Sequence, residues 1–375
     1  MDPLTILVVL GFCVLGTLAF TLIGLVSGTD ETATIAPLTL LVVLLGAPAP
    51  AVFGFFMSAM VAKHITHAIP TALLGIPGDT MAIPLMREAN PMRGLGAPHV
   101  ALCKMVSASV VAVFVSLPLS VLFAVILSPL GSVISAAAPW IFLSASVLIA
   151  YFSPGRWASV VAIVPFVFLV AALQAFSTAH GLKPSVSYSL GVTAGPLIID
   201  LLRSLSPRER RSMSRTEHRR VSMAPDVKSW SGFMPNPFKV LDPGQTRTTV
   251  TAAAVTSATF VFSPVATTVA VGEYVGARTK HAYRRLTSVL AVRNGVTEST
   301  YIAEVLIPLI AFGLPLSPVA IGPAAPLFNA PPRFTVDPRT GEVNNLHTML
   351  SVPEFLFFGL AAALIAVLIA PTPSP

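Results

Sequence analysis

The sequence predicts an all-α, polytopic transmembrane helical bundle with two inverted repeats and broken or re-entrant helices. Three observations carry this. Of the 375 residues, 54% are hydrophobic and only 10% charged, against roughly 25% charged in a soluble domain, and the mean hydropathy is +0.81. Apolar runs of about 20 residues, enough to cross a hydrocarbon core of about 30 Å, recur along the whole chain. The 34 prolines and 24 glycines fall partly inside those runs. Lipid tolerates such breaks only where protein or a wet cavity satisfies the freed backbone groups.

The first run, Leu4–Val26, is preceded by a single charge, Asp2, and lacks a basic leader or a clear cleavage site. It reads as a retained span. Further runs are Ile35–Ala47, Ala51–Ala62, Ala101–Leu127, Ser132–Phe152, Trp157–Thr178, Val186–Leu202, Thr249–Ala277, Thr300–Phe328 and Pro353–Ala370. Ile35–Ala47 and Ala51–Ala62 are too short to cross alone and read as half-helices or a tight hairpin. Cys13 and Cys103 form neither a disulfide framework nor a metal-type spacing and read as buried, inert thiols.

The net charge of +7 is local. Arg203–Arg247 holds Arg208, Arg210, Arg211, Arg215, Arg219, Arg220, Lys228 and Lys239, and the positive-inside rule places it in the cytoplasm. It divides the chain into a first half (1–202), a basic cytoplasmic linker (203–248) and a second half (249–375). The charge is a topology signal, and nucleic acid is not an expected partner. A second basic segment carries Arg278, Lys280, Arg284, Arg285 and Arg293 and falls on the same side by the same rule. Only Thr249–Ala277 lies between the two, while two full crossings need roughly 40 residues. Two half-helices meeting near Pro264, entering and leaving on one side, resolve the conflict; the alternative is a kinked single span that breaks the charge rule.

Self-comparison shows a repeat. Ile65–Met86 (ITHAIPTALLGIPGDTMAIPLM) and Ala303–Ala324 (AEVLIPLIAFGLPLSPVAIGPA) align at one fixed offset. The identities are Ile69/Ile307, Pro70/Pro308, Gly75/Gly313, Pro77/Pro315, Ala82/Ala320 and Ile83/Ile321. A weaker pairing at nearly the same offset sets Ser27 against Ser263 and Thr32 against Thr268. Paired Gly/Pro interruptions in two halves are the sequence mark of a secondary-transporter site, where a helix unwinds near the bilayer midplane. Exposed N–H groups there suit an anion, and freed carbonyls suit a cation.

Ionisable residues inside spans are costly and usually functional. Asp30 and Glu31 follow the first span, and Asp79 follows Pro77-Gly78, where it suits a half-helix cap. Glu298-Ser299-Thr300 precedes the second motif, and Glu304 lies deeper in the same run. Lys63 either snorkels to the interface or faces a substrate carboxylate. His64 and His67 are either structural or titrate near neutral pH. A nucleotide-binding GxxxxGK[ST], a zinc signature and a nucleophile–base motif are all lacking in the sequence. The reading is therefore no enzyme, no metal centre and no cofactor beyond a coupling Na⁺ or H⁺. The expected function is secondary transport of a small organic anion. The rivals are a non-transporting scaffold or accessory subunit, and a transporter of a lipid-linked substrate. Expected substrate contacts are Ser27, Gly28, Thr29, Thr32, Gly75, Pro77, Gly78, Thr80, Ser299, Thr300, Gly313 and Pro315, with Asp30, Glu31 and Glu298 for cation or proton coupling.

The ordered motifs resemble one family. Ser27–Thr34 looks like its first loop, Gly75-Ile76-Pro77-Gly78 like its G-I-P-G motif, and Pro91-Met92-Arg93-Gly94 through Ala101-Leu102 like the basic segment after it. Gly295-Val296-Thr297-Glu298-Ser299 looks like a shortened Glu-Ser element. Phe312-Gly313-Leu314-Pro315 looks like the second motif, with Leu316 in place of the final glycine. From about residue 10 to 330 the chain thus resembles the large permease subunit of tripartite tricarboxylate transporters, the TctA type. It differs in the two acids of the first loop, the glycine-free Ser263-Pro264, and Thr300-Tyr301 in place of an asparagine pair. The resemblance implies a multi-pass permease of the cytoplasmic membrane that takes up carboxylates such as citrate on a cation gradient. It also implies a small membrane subunit and an extracytoplasmic solute-binding protein as partners. A homodimer stands among the expected assemblies.

Overall fold

The computed structural model describes residues 3–152, 155–180, 202–203, 205–212, 236–336 and 343–370. The expected run Val186–Leu202 lies outside them except for Leu202, as do Arg215, Arg219, Arg220 and Lys228 of the basic segment. The main helices are α1 (Pro3–Gly24), α2 (Glu31–Leu44), α3 (Ala49–Thr66), α4 (Met86–Gly94), α5 (Pro98–Leu127), α6 (Gly131–Phe152), α7 (Trp157–Ala179), α8 (Pro243–Thr256), α9 (Pro264–Arg278), α10 (Ala282–Ala311) and α11 (Val352–Ile369). Among the described residues the strands are one pair, Thr335–Val336 with Val343–Asn344. Among the described residues five helices are long and apolar enough to cross a membrane, so the fold is the expected all-α polytopic bundle.

Many prolines mark starts rather than kinks. Pro98, Pro243, Pro264 and Pro353 stand at the first or second position of α5, α8, α9 and α11, where the missing N–H has no helical partner in any case. Capping boxes reinforce two of these starts: the Asp242 N–H donates to Gln245 Oε1 at 3.2 Å, and the Ser351 N–H to Glu354 Oε2 at 2.8 Å.

Helix directions follow from the contacts. Gly16 of α1 lies against Phe55 and Ser58, and Gly24 against Thr66, so α1 runs parallel to α3. Glu31, at the start of α2, faces Lys63 near the end of α3, so α2 runs back. The second half repeats this. Gln245 donates to Thr287 Oγ1 (3.1 Å) and Thr256 pairs with Ser299 (2.6 Å), so α8 is parallel to α10. Thr268 meets Thr297 (3.0 Å) and Val275 packs with Val289, so α9 is antiparallel to it. The chain therefore enters along α8, turns at residues 257–263 and leaves along α9. This is the hairpin of two half-helices that the charge pattern calls for.

The halves are inverted. His64 faces Glu298 and His67 faces Asn294, so α3 and α10 cross antiparallel. Each then packs on a helix from the opposite half. Gly295 of α10 lies against Ala108 and Ala112 of α5, and Phe53 of α3 stacks edge-on with Phe355 of α11 at 5.0 Å.

The repeat holds in the backbone. Gly75 and Gly313 both take left-handed φ values, +67° and +64°. At the same sequence offset Asp79 Oδ1 accepts from the Ala82 N–H and Ser317 Oγ from the Ala320 N–H, both at 2.9 Å. The weaker upstream pairing is not the structural one. Asp30 caps α2 while Ser263 precedes α9, so Ser263 corresponds to Asp30 and not to Ser27. The expected span Thr300–Phe328 is also displaced, since α10 begins at Ala282 and Glu298-Ser299-Thr300 sits in mid-helix. The first half of α10 is polar because α5, α8 and α9 enclose it. Every residue from Thr287 to Ala311 is buried, so a lipid-based hydropathy criterion misses it.

The hairpin geometry puts Arg247 and Lys280 on one side of the membrane. Single cysteines at these positions, with Cys13 and Cys103 replaced by alanine, are expected to react with an impermeant maleimide from the same side of sealed vesicles. Labelling from opposite sides would make Thr249–Ala277 a single crossing.

Candidate functional site: the buried polar crossing of the two halves

Where α3 crosses α10, their polar side chains meet in the core. Lys63 is fully buried. Its ammonium donates to the Thr29 carbonyl at 2.6 Å and lies 3.5 Å from Glu31 and 3.9 Å from Asp79. It thus neither snorkels nor waits for a substrate carboxylate. It holds the first hairpin tip, the start of α2 and the first unwound loop together. Breaking such a buried pair by removing one partner costs about 3–5 kcal/mol, far more than the pair itself is worth against an apolar substitute.

The two histidines differ. His67 Nδ1 is 2.8 Å from Asp79 Oδ2, and its Nε2 is 3.2 Å from Asn294 Oδ1. Asn294 Nδ2 donates to the Met105 carbonyl at 2.9 Å, which fixes the oxygen toward the histidine. Nε2 must therefore carry hydrogen, and the Asp79 side needs a second proton. His67 and Asp79 form a closed, proton-bearing pair. His64 Nδ1 is 3.2 Å from Glu298 Oε2, which also accepts from Ser109 at 3.0 Å. Its Nε2 is 3.7 Å from Glu31 Oε1 and unpartnered. The ring sits edge-on to Tyr301 at 4.6 Å.

The hairpin tips end at this level. Ser27 Oγ donates to the Pro77 carbonyl at 2.7 Å and the Gly28 N–H to the Gly78 carbonyl at 2.9 Å, so the first tip sits on the first loop. Phe260 of the second tip lies 6.1 Å from Phe312, at the edge of the second loop. Four helix N-termini belong to these tips and loops. Asp30 caps α2 through the N–H groups of Thr32 and Ala33. Asp79 caps the turn Thr80–Leu85. Ser317 and Glu304 cap Pro318–Ile321, the latter through the Val319 N–H at 3.2 Å. Ser263 makes no side-chain cap on α9.

Of the expected site residues, Ser27, Gly28, Pro77 and Gly78 meet as described. Gly75 lies beside Asn90 and Arg93. Thr29 contributes its carbonyl to Lys63, and its hydroxyl bonds to the Val26 carbonyl. Thr32 faces Gly322 of the other half, and Thr80 is exposed. Ser299 bonds to Thr256, while the buried Thr300 hydroxyl has no partner. Gly313 packs under Val343 and His347, and Pro315 is half-buried. Glu31 and Glu298 flank His64, whereas Asp30 is engaged as a cap. The two loops do not share one contact. The first reaches α10 at Asn294 through His67 and the second at Glu304, about 15 Å apart along the helix axis.

The sequence reading missed Asn294 and Tyr301, although Asn294, Glu298 and Tyr301 recur at i, i+4 and i+7, a single helix face. It also placed Arg293 in a loop. Arg293 is instead buried in α10, paired with Glu88, with Glu273 at 2.9 Å and with the Pro84 carbonyl at 2.6 Å. Gly272 makes the room, since a Cβ there would lie 2.0 Å from Arg293 Nε. Burial lifts the Glu88 carboxyl above its ordinary range against the pull of Arg293.

Inverted repeats, hairpin tips reaching mid-bundle and unwound loops beside a buried polar centre are marks of a multi-pass membrane transporter. Residues 10–334 match the family model of the Tripartite tricarboxylate transporter TctA family, and the chain belongs to that family. It is a transporter family and part of a tripartite system. No curated protein and no solved structure matches the chain.

Lys63→Met is expected to destabilise the purified protein by about 3–5 kcal/mol, read as a shift of the chemical-unfolding midpoint. Adding Glu31→Gln should recover part of that loss. Equal stability of Lys63→Met and wild type would show that Lys63 does not hold the tip.

Proposed function

We propose that this chain is the permease subunit for cation-gradient-driven uptake of a small organic anion, a di- or tricarboxylate, across the cytoplasmic membrane. The observation that carries this reading is the asymmetry of the four N-termini. Three are occupied by the chain's own acids, alone or with a serine, and α9 is left open. The Val265 and Ala266 N–H groups and the positive end of a 15-residue helix suit a carboxylate. The second tip, Ser257–Ser263, carries no acid, whereas the first half concentrates Asp30, Glu31 and Asp79. The anion is thus received at the second tip, where Ser299 and Thr300 supply hydroxyls from α10. The cation is received on the acidic side.

Ser27, Gly28, Thr29, Thr32, Thr80, Gly75, Pro77 and Gly78 form the wall of the first half, and Gly313 and Pro315 set the second loop. Glu31 and Glu298 carry the coupling, and Asp30 orients α2. The basic ends of the hairpin face the cytoplasm. A small membrane subunit and an extracytoplasmic binding protein complete the system and deliver the anion.

Uptake of labelled citrate and simpler dicarboxylates into proteoliposomes, with sodium or proton gradients and a candidate binding protein, tests this. Gradient-driven uptake should be abolished in folded Gly75→Leu/Gly313→Leu, because a leucine side chain is strained at both left-handed positions. Ser263→Asp should insert normally, because a carboxylate cap suits a helix start, yet raise the KM at least tenfold by occupying the anion's place. Unchanged KM in Ser263→Asp would remove the α9 terminus as the anion site. Uptake of no carboxylate by inserted wild type would remove the substrate class.

A further inference from the structure

The cluster at the crossing also indicates which cation drives the cycle. The groups facing His64 can be counted element by element. On α3 they are Lys63 and His67. Glu31 stands on α2, with Asp30 at its cap, and Asp79 on the first loop. On α10 they are Glu298 and Tyr301, with Arg293 and Glu304 further along. From α5 comes the hydroxyl of Ser109. Tyr301 lies within electrostatic reach of Glu31, Asp30, Asp79 and Glu304.

Within the inner group, three acids (Glu31, Asp79, Glu298) face one permanent cation, Lys63, and two imidazoles. With all three acids ionised, the group is neutral only when both rings are charged. His67 is committed to Asp79 and Asn294 on both nitrogens. His64 is not. Its Nε2, Glu31 Oε1, Glu298 Oε1 and the Tyr301 hydroxyl are all buried without a hydrogen-bond partner, and the side chains are 0–2% exposed. Such unpaired polar atoms, gathered at one place in a core, point to a functional role or a small bound species. A sodium ion does not suit it. The Lys63 ammonium already lies 3.5 Å from Glu31 and repels a metal cation there, and an imidazole nitrogen is a poor ligand for a hard cation. A proton suits it.

We propose that the coupling ion is a proton carried on His64 Nε2, and that the charge it gives the ring strengthens the contact of the two halves at Glu298. The proposal rests on the cation-coupled reading above. Bound, the proton makes His64 an imidazolium between Glu31 of the first half and Glu298 of the second. Released from the same nitrogen, it leaves one uncompensated buried carboxylate and a neutral ring that keeps only its Nδ1 hydrogen bond to Glu298, so the attraction across the crossing weakens. No other bond is made or broken. The proton enters from one aqueous side and leaves to the other once the halves have moved.

Two measurements test this. In proteoliposomes, an inward proton gradient should drive accumulation in wild type, a sodium gradient at constant pH should not, and His64→Gln should lose the accumulation. Sodium-driven accumulation overturns the proposal. The second measurement needs no substrate, so it stands even if the anion assignment fails. Unfolding of the detergent-purified protein is followed from pH 5 to 9. An imidazolium held between carboxylates is favoured in the folded state, so its stabilisation is present at low pH and lost as pH rises. The wild-type midpoint should fall across this range, and in His64→Gln the fall should shrink by at least half, while Lys104→Gln, distant from the cluster, keeps it. A His64→Gln profile that parallels wild type overturns the proposal, as does a flat wild-type profile.

Discussion

The buried ammonium of Lys63 is the constraint on which the first half depends. A re-entrant tip in a bilayer brings its own backbone and its flanking acids into a region that solvates neither. Lys63 answers both needs at once, through the Thr29 carbonyl and through Glu31 and Asp79. Without it, two carboxylates and a carbonyl would converge with no permanent positive charge among them. At the repeat offset the second half has Tyr301 in place of Lys63 and Ser317 in place of Asp79. The backbone is twofold and the charge is one-sided. That difference gives one fold an acidic wall and, facing it, a tip with an open helix terminus.

Close backbone approach makes the rest of the arrangement work. Helices in lipid gain little from burying apolar surface against one another, so contact depends on small residues that let main chains meet. A Cβ at Gly24 would lie 1.9 Å from Thr66 Oγ1, and one at Gly54 would lie 2.7 Å from Cys13 Sγ. These contacts press α1 onto α3 and set the height of the first tip. Gly75 and Gly313 act differently. Each takes a left-handed turn that ends one helical segment so that Asp79 or Ser317 can start the next. The unwound loops are therefore fully specified turns with their donors assigned.

How much of this is legible in the sequence follows from what hydropathy measures, which is contact with lipid. α7 is apolar because none of its apolar window is buried within the bundle, and the expected run Trp157–Thr178 matches it within a residue. The second hairpin is legible because the charge rule forbids a single crossing of Thr249–Ala277. The loops are legible because Gly and Pro recur at one offset. α10 is not, because a helix enclosed by protein is free to carry Arg293, Asn294 and Glu298. Its start at Ala282 and the position of Glu298 in mid-helix could be read only from the period of its polar residues. The upstream pairing of Ser27 with Ser263 failed for a related reason. Two short polar matches outside a helix do not fix a register, whereas the capping positions Asp30 and Ser263 do.

Two of the attachments that join the halves differ in chemistry, and their order along α10 matters. Arg293 ties α10 to Glu88 and to the Pro84 carbonyl of the first half, and a guanidinium does not lose its charge at any physiological pH. Five residues further on, Glu298 reaches His64, whose imidazole can take up or release a proton. A permanent clamp at the basic end beside a titratable one at the centre makes separation directional. On the proposed proton cycle, loss of the central charge frees the bundle on the far side of the crossing while the Arg293 end stays joined and serves as a hinge. The second loop, fastened at Glu304 beyond the crossing, lies on the side that opens. The first loop is fastened at Asn294 beside the clamp and lies on the side that stays closed. On that cycle the inverted repeat supplies two loops of one backbone design, and their unequal charges decide which of them moves first.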